Sequence, residues 1–271
     1  NFIYTPAELS DWAWRVPFVI GGVFGLISIY LRRFLQETPV FKKMRESKAL
    51  AKFPLEEVVK TSRFGIWISM FITWVLTGCI VVFILLMPGF VGGVLGFSPF
   101  ETTYFQMGGL VCIVSSCWLT GRLADKHNPS TLCILFSAGF AVSSVAFFSL
   151  LYTAAPVVSE VVLAYFATCF FAGIMNFCPI FMCDVFPARI RFSGISFAYN
   201  IAYALSGAFT PQLSFALHAY AKTHPDTLGA MGLSAYIVFL ALVSIGTALA
   251  MRRVYKNGGA AVSQMELRPA P

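Results

Sequence analysis

Seven long apolar stretches, separated by short polar segments, leave this chain few folds to choose from. They run approximately over 14–35, 64–88, 104–122, 131–151, 157–182, 194–217 and 230–251. Each supplies the roughly 20 mostly apolar residues that carry an α-helix across about 30 Å of hydrocarbon. One such stretch alone is equally compatible with a buried helix of a soluble core. Seven in succession, in a chain that is 58% hydrophobic and 11% charged, are not. The expected fold class is an all-α membrane protein with seven transmembrane helices.

The basic residues set an orientation. Nine Lys and Arg lie in 32–63, two in 122–130, two in 183–193 and four after 251, whereas 89–103 and 152–160 hold none. Only Arg15 and Lys222 fall on the other side. Because basic flanks stay cytoplasmic, the chain is expected to start outside and finish inside. The net charge of +7 is then carried by loops facing an anionic lipid surface. A nucleic-acid partner would need those residues on a folded soluble face, so none is expected. The seven cysteines, at 79, 112, 117, 133, 169, 178 and 183, lie within or at the ends of apolar stretches with no paired CxxC. That placement suits packing residues and neither disulfides nor metal ligands.

The chain opens with Asn1, and residues 1–11 carry Glu8 and Asp11 with no basic n-region. An upstream segment with an odd number of helices is expected, returning the true N-terminus to the cytoplasm. The longest polar segment, 36–63, has Glu and Lys/Arg at spacings that suit short surface helices, broken at Pro39 and Pro54. The expected divisions are therefore 1–35 as the last helix of a first six-helix half and 36–63 as a central cytoplasmic loop along the membrane surface. Residues 64–255 form a complete second half, and 256–271 a cytoplasmic tail.

Three runs carry a family resemblance: WAWRVPFVIGGVFGLISIYLRRFLQETPVF at 12–41, GRLADKHN at 121–128 and DVFPARIRFSGISFAYNIAYALSGAFTP at 184–211. Together they resemble the metabolite:proton symporter family of the major facilitator superfamily, which includes proline/betaine, α-ketoglutarate, citrate and shikimate transporters. The resemblance covers essentially the whole chain and matches helices six to twelve of a twelve-helix fold. It implies a bacterial inner membrane protein with a small-molecule substrate, the lipid bilayer and a missing N-terminal half as partners, and the proton as coupling ion with no other cofactor.

Charged groups in hydrocarbon cost about 2.5–3.5 kcal/mol each, so intramembrane polar residues mark function. All twelve carboxylates lie in loops or at helix ends, so a proton-carrying Asp or Glu is expected in the missing part. The richest polar face is on 194–217, where Ser196, Tyr199, Asn200, Tyr203, Ser206 and Thr210 recur every three or four residues. Ile195, Phe197, Ala198, Ile201, Ala202 and Leu205 would lie opposite. Such a stripe suits a solute pathway or a hydrogen-bonded helix pair.

Weaker versions occur elsewhere. In 157–182, Tyr165, Thr168, Cys169, Gly173 and Asn176 share a face. The Asn176 amide could meet a substrate carboxylate or ammonium, form an interhelical hydrogen bond, or partner a backbone group freed by Pro179. In 64–88, Ser69, Thr73 and Thr77 are four apart and Trp74 sits beside them, as a cation–π wall or as packing. Gln106 could be an interfacial cap or a substrate contact. The stretches 131–151 and 230–251, poor in strong polar groups, are expected to brace the others from the periphery, as the resemblance also implies.

The cytoplasmic loops suggest a gate. Gly121 would allow close helix approach, and Arg122, Asp125 and Lys126 place charges at a tight turn. Asp125 matches the family's loop carboxylate, which the resemblance implies is part of a charge relay. Arg189 and Arg191, after the turn at Asp184, are its candidate partners; the alternative is that these residues are turn formers and positive-inside anchors. The pattern departs from the family at Asn128, Pro129 and Ser130, where a Gly and basic residues are usual. With no HExxH, GxSxG or GxxxxGK[ST] motif, enzyme chemistry is not expected. Alternatives to a transporter are a nonfunctional remnant of a truncated or split one, or a seven-helix receptor or sensor.

Overall fold

The computed structural model describes residues 5–34, 42, 46, 53–153, 155–224 and 227–256, and it divides into two units, 1–49 and 50–271. In the first unit, helix α1 (Pro6–Asp11) opens on a capping box in which the Thr5 N–H donates to the Glu8 carboxylate at 2.8 Å. A 3-10 turn, Ala13–Arg15, leads into α2 (Val16–Arg32), which buries no side chain.

The second unit is a helical bundle with no strand among the described residues. Its elements are α3 (Pro54–Thr61), α4 (Arg63–Leu95), α5 (Pro99–Ala124), α6 (Pro129–Leu151), α7 (Val158–Val185), α8 (Ala188–Thr223) and α9 (Thr227–Lys256). Local chemistry sets the boundaries. Gly96, at φ 70°, ends α4 in the left-handed conformation that costs glycine little. Ser98 and Glu101 form a capping box at the start of α5. Asn128 caps α6 by accepting from the Ser130 N–H at 2.9 Å, with Pro129 in the first turn. The departure from the family pattern at 128–130 is thus a helix start.

Among the described residues, six helical segments are long and apolar enough to cross a membrane: Ala13–Arg32, Arg63–Leu95, Pro99–Ala124, Pro129–Leu151, Val158–Val185 and Met231–Lys256. The seventh expected stretch, 194–217, is helical within the 36 residues of α8, whose polar positions keep it below the apolarity of those six.

Lipid tails are as apolar as leucine, so close packing and hydrogen bonds must hold such helices together. In one core the Phe83 ring meets Phe140 at 5.5 Å and Phe148 at 6.2 Å, while Phe105 stacks on Tyr165 at 4.0 Å. A second core gathers Ile68, Ile72, Phe177, Phe181 and Met251 toward the other end. Helices α6 and α9 are joined by a buried polar seam, with Ser137 Oγ donating to Ser244 Oγ at 2.8 Å and Cys133 Sγ 3.3 Å from the same oxygen. Where α5 crosses α7, a β-carbon at Gly173 would collide with the Ser116 side chain, so that contact requires glycine.

Helix α4 is irregular where it matters. Residues Ile80–Leu86 form a π-helix in which the Met87 N–H reaches back to the Val82 carbonyl. The Phe83 carbonyl thereby loses its usual partner, and the Tyr165 hydroxyl of α7 donates to it at 2.8 Å. Pro88 has no N–H for the Ile84 carbonyl four residues earlier, and Gln106 Nε2 of α5 fills that place at 2.8 Å. Gln106 is therefore a cap on a broken helix.

At the end of the bundle where α8 begins, α3 docks through Val58, which is fully buried with Phe186 and Ile190. The Arg189 guanidinium pairs with Glu57 across the same contact. A β-carbon at Gly194 would come within 2.6 Å of the Phe186 ring, which seats between α4 and α8. Pro54 opens α3 instead of breaking a helix. Pro39, with most of 35–52, and the tail 257–271 lie outside the described residues.

Candidate solute pathway and gate

Helix α8 packs through small residues four apart: Gly194, Ala198, Ala202, Ser206, Thr210 and Ser214, all buried. Each four-residue step advances about 40° beyond a full turn, so this file winds around the helix. The six-residue stripe expected from spacing is divided by it. Ser206 and Thr210 belong to the packed file, and Thr210 Oγ1 lies 2.7 Å from the Tyr236 hydroxyl of α9. Ala198 and Ala202, expected on the apolar side, are packing residues too.

Ser196, Tyr199, Asn200 and Tyr203 lie away from the packed file. Asn200 is exposed, Tyr203 is 39% exposed, and Ser196 and Tyr199 are half-buried. The rings of Tyr199 and Tyr203 stack at 5.4 Å and 24°. Asn200 Nδ2 donates to the Ser196 carbonyl at 2.7 Å. A carboxamide on the flank of a membrane helix is costly against acyl chains, so this face suits water or protein.

The α4 candidates are placed differently. Ser69, Thr73 and Thr77 are fully buried. Thr77 Oγ1 donates to the Thr73 carbonyl at 2.9 Å, and Thr73 Oγ1 lies 3.7 Å from Cys178 Sγ. Trp74 donates its indole N–H to the Tyr236 hydroxyl at 3.3 Å and meets Phe209 edge-on at 6.0 Å. Thr73, Thr77 and Trp74 thus find partners inside the bundle, whereas Ser69 Oγ is buried without one.

On α7, Tyr165, Thr168, Cys169 and Gly173 are buried. Asn176 Nδ2 donates to the Cys117 carbonyl at 3.1 Å and lies 3.2 Å from Thr120 Oγ1, both on α5. Of the alternatives for Asn176, the structure shows the interhelical hydrogen bond, made by the amide nitrogen. A β-carbon at Gly121 would sit 3.5 Å from Asn176 Nδ2, an ordinary contact, so the close approach of α5 and α7 depends on Gly108, Gly109 and Gly173 instead.

The gate candidates do not join as expected. Asp125 is exposed at the end of α5 and forms no ion pair among the described residues. Arg189 pairs with Glu57, and Arg191 Nε donates to the Phe186 carbonyl at 3.0 Å, which corrects their assignment as partners of Asp125. Asp184 accepts from the Tyr255 hydroxyl at 2.6 Å, tying α7 to α9. Arg122 lies 4.3 Å from the centroid of the Trp118 ring. Sequence reasoning missed Glu57, Tyr236 and Tyr255, and it missed Pro88, whose spacing to Ile84 signals a freed carbonyl that a distant side chain has to reach.

The Major Facilitator Superfamily model matches residues 5–211. Similar curated proteins include the inner membrane metabolite transport protein YhjE of Escherichia coli (strain K12), 28% identical over 247 residues that are 86% of this chain and 53% of that protein. A putative proline/betaine transporter of Staphylococcus haemolyticus is 23% identical over 78% of this chain and 45% of its own length. The citrate-proton symporter of Klebsiella pneumoniae is 26% identical over 81% and 49%. The chain thus spans about half the length of the curated relatives it matches. No solved structure matches it. Its apolar helices and the family match over residues 5–211 agree: this multi-pass membrane protein belongs to the Major Facilitator Superfamily.

Proposed function

We propose that this chain is the C-terminal portion of a bacterial inner-membrane transporter that moves a small polar metabolite, an organic acid or a proline/betaine-type solute, by proton-coupled alternating access. The observation that carries this reading is the open face of α8, where Asn200 is exposed beside the stacked Tyr199 and Tyr203. In this reading the face lines one wall of a midplane cavity, and a first six-helix half supplies the other as the two rock against each other. The basic helix ends face the cytoplasm. Every described carboxylate of the second unit lies in α3, a loop or a terminal turn, so the coupling group is assigned to the first half. The names of the relatives, a metabolite transporter, a putative proline/betaine transporter and a citrate-proton symporter, support the solute range.

The test is uptake of labelled proline, betaine, α-ketoglutarate and citrate into vesicles holding the complete transporter, with an inward proton gradient. Accumulation of one solute, abolished by a protonophore, is expected. Accumulation that survives the protonophore contradicts the coupling, and no accumulation of any contradicts the solute assignment.

A further inference from the structure

Asn200 of α8 and Asn176 of α7 are oriented by their partners. The Ser196 carbonyl faces Asn200, and the Cys117 carbonyl faces Asn176. A carbonyl oxygen can only accept, so in each case the amide nitrogen must point to it and the amide oxygen must point away. Neither amide oxygen receives a hydrogen bond among the described residues. Each side chain therefore spends an N–H donor on a backbone carbonyl and keeps its acceptor free.

On α8 Asn200 shares the open face with the Tyr199–Tyr203 stack, whose rings present electron-rich faces. Each described Lys and Arg of the second unit lies near a helix end or outside the long helices, so no guanidinium or ammonium of this unit reaches that face from mid-helix. A carboxylate is held best by charged donors, and here only neutral ones, the hydroxyls and the second Asn200 N–H, can donate. An ammonium or quaternary ammonium is held by carbonyl oxygens and aromatic faces.

We infer that the open face of α8, through the Asn200 oxygen and the Tyr199–Tyr203 stack, binds the ammonium end of the transported solute. Any carboxylate on that solute is then met by the first half. The inference rests on the pathway reading of this face and adds a polarity to it.

The test uses the complete transporter with Cys112, Cys117 and Cys183 changed to Ser and Ser196→Cys introduced, which keeps Asn200, labelled with a charged, membrane-impermeant thiosulfonate. Labelling is expected, and tetramethylammonium is expected to slow it about fivefold while succinate leaves it unchanged. Ala204→Cys, exposed one turn beyond Asn200, gives the same readout if the first variant fails to accumulate. Labelling slowed by succinate, or by neither solute, overturns the ammonium assignment and leaves the pathway reading intact. No labelling at either position overturns both.

Discussion

The Tyr165 hydroxyl donates to the Phe83 carbonyl at 2.8 Å, joining α7 to the π-helical segment of α4. Tyr165 is almost fully buried, so its removal leaves a backbone acceptor without water or a substitute donor. Hydrogen bonds inside membrane bundles contribute about 0.6 kcal/mol on average and up to about 1.7. Tyr165→Phe is expected near the upper end of that range, measured by unfolding in mixed detergent micelles. Gln106→Leu frees the neighbouring Ile84 carbonyl. The double variant should show non-additive loss, because both bonds hold one irregular segment. Independent effects would show that the two caps act separately.

Gly173→Ala is expected to destabilise the bundle by about 1–3 kcal/mol through overpacking against Ser116. Adding Ser116→Gly should recover most of the loss. Gly121→Ala should change stability by less than about 0.5 kcal/mol, since its added carbon meets Asn176 at 3.5 Å. Thermal unfolding in detergent measures all three, and equal losses at Gly173 and Gly121 would contradict the packing described.

The docking of α3 divides into an apolar and an ionic part. Val58 is fully buried, and Val58→Ala should cost about 1–2 kcal/mol. The Glu57–Arg189 pair is partly open to solvent, with the Arg189 side chain 42% exposed, so Glu57→Gln should cost only about 0.5 kcal/mol and less at high salt. Protease sensitivity around residues 53–62 reads out both. Greater sensitivity in the Glu57 variant than in the Val58 variant would reverse this ranking.

The helices were legible from apolar runs and loop charge because bilayer thickness and positive-inside bias act on local sequence. The site was only partly so. A spacing of three and four defines a face of α8, but it does not say which neighbours that face meets; Ser206 and Thr210 went to the packed file because the file winds. The gate partners escaped because Glu57 and Arg189 are 132 residues apart in sequence, and Asp184 finds Tyr255 across 71. Asn128 and Pro129, which depart from the family pattern, are explained by local capping chemistry.

The central claim is that the open face of α8 lines the solute pathway, and the most direct measurement compares Asn200→Ala with Ser244→Ala in uptake per folded molecule by the complete transporter. Asn200 is exposed on that face, whereas Ser244 is fully buried in the α6–α9 seam. Asn200→Ala is expected to lower uptake about tenfold or more, a loss of about 1.4 kcal/mol, with little change in thermal unfolding. Ser244→Ala should lower stability and leave uptake per molecule unchanged. Equal uptake in the two variants would contradict the account.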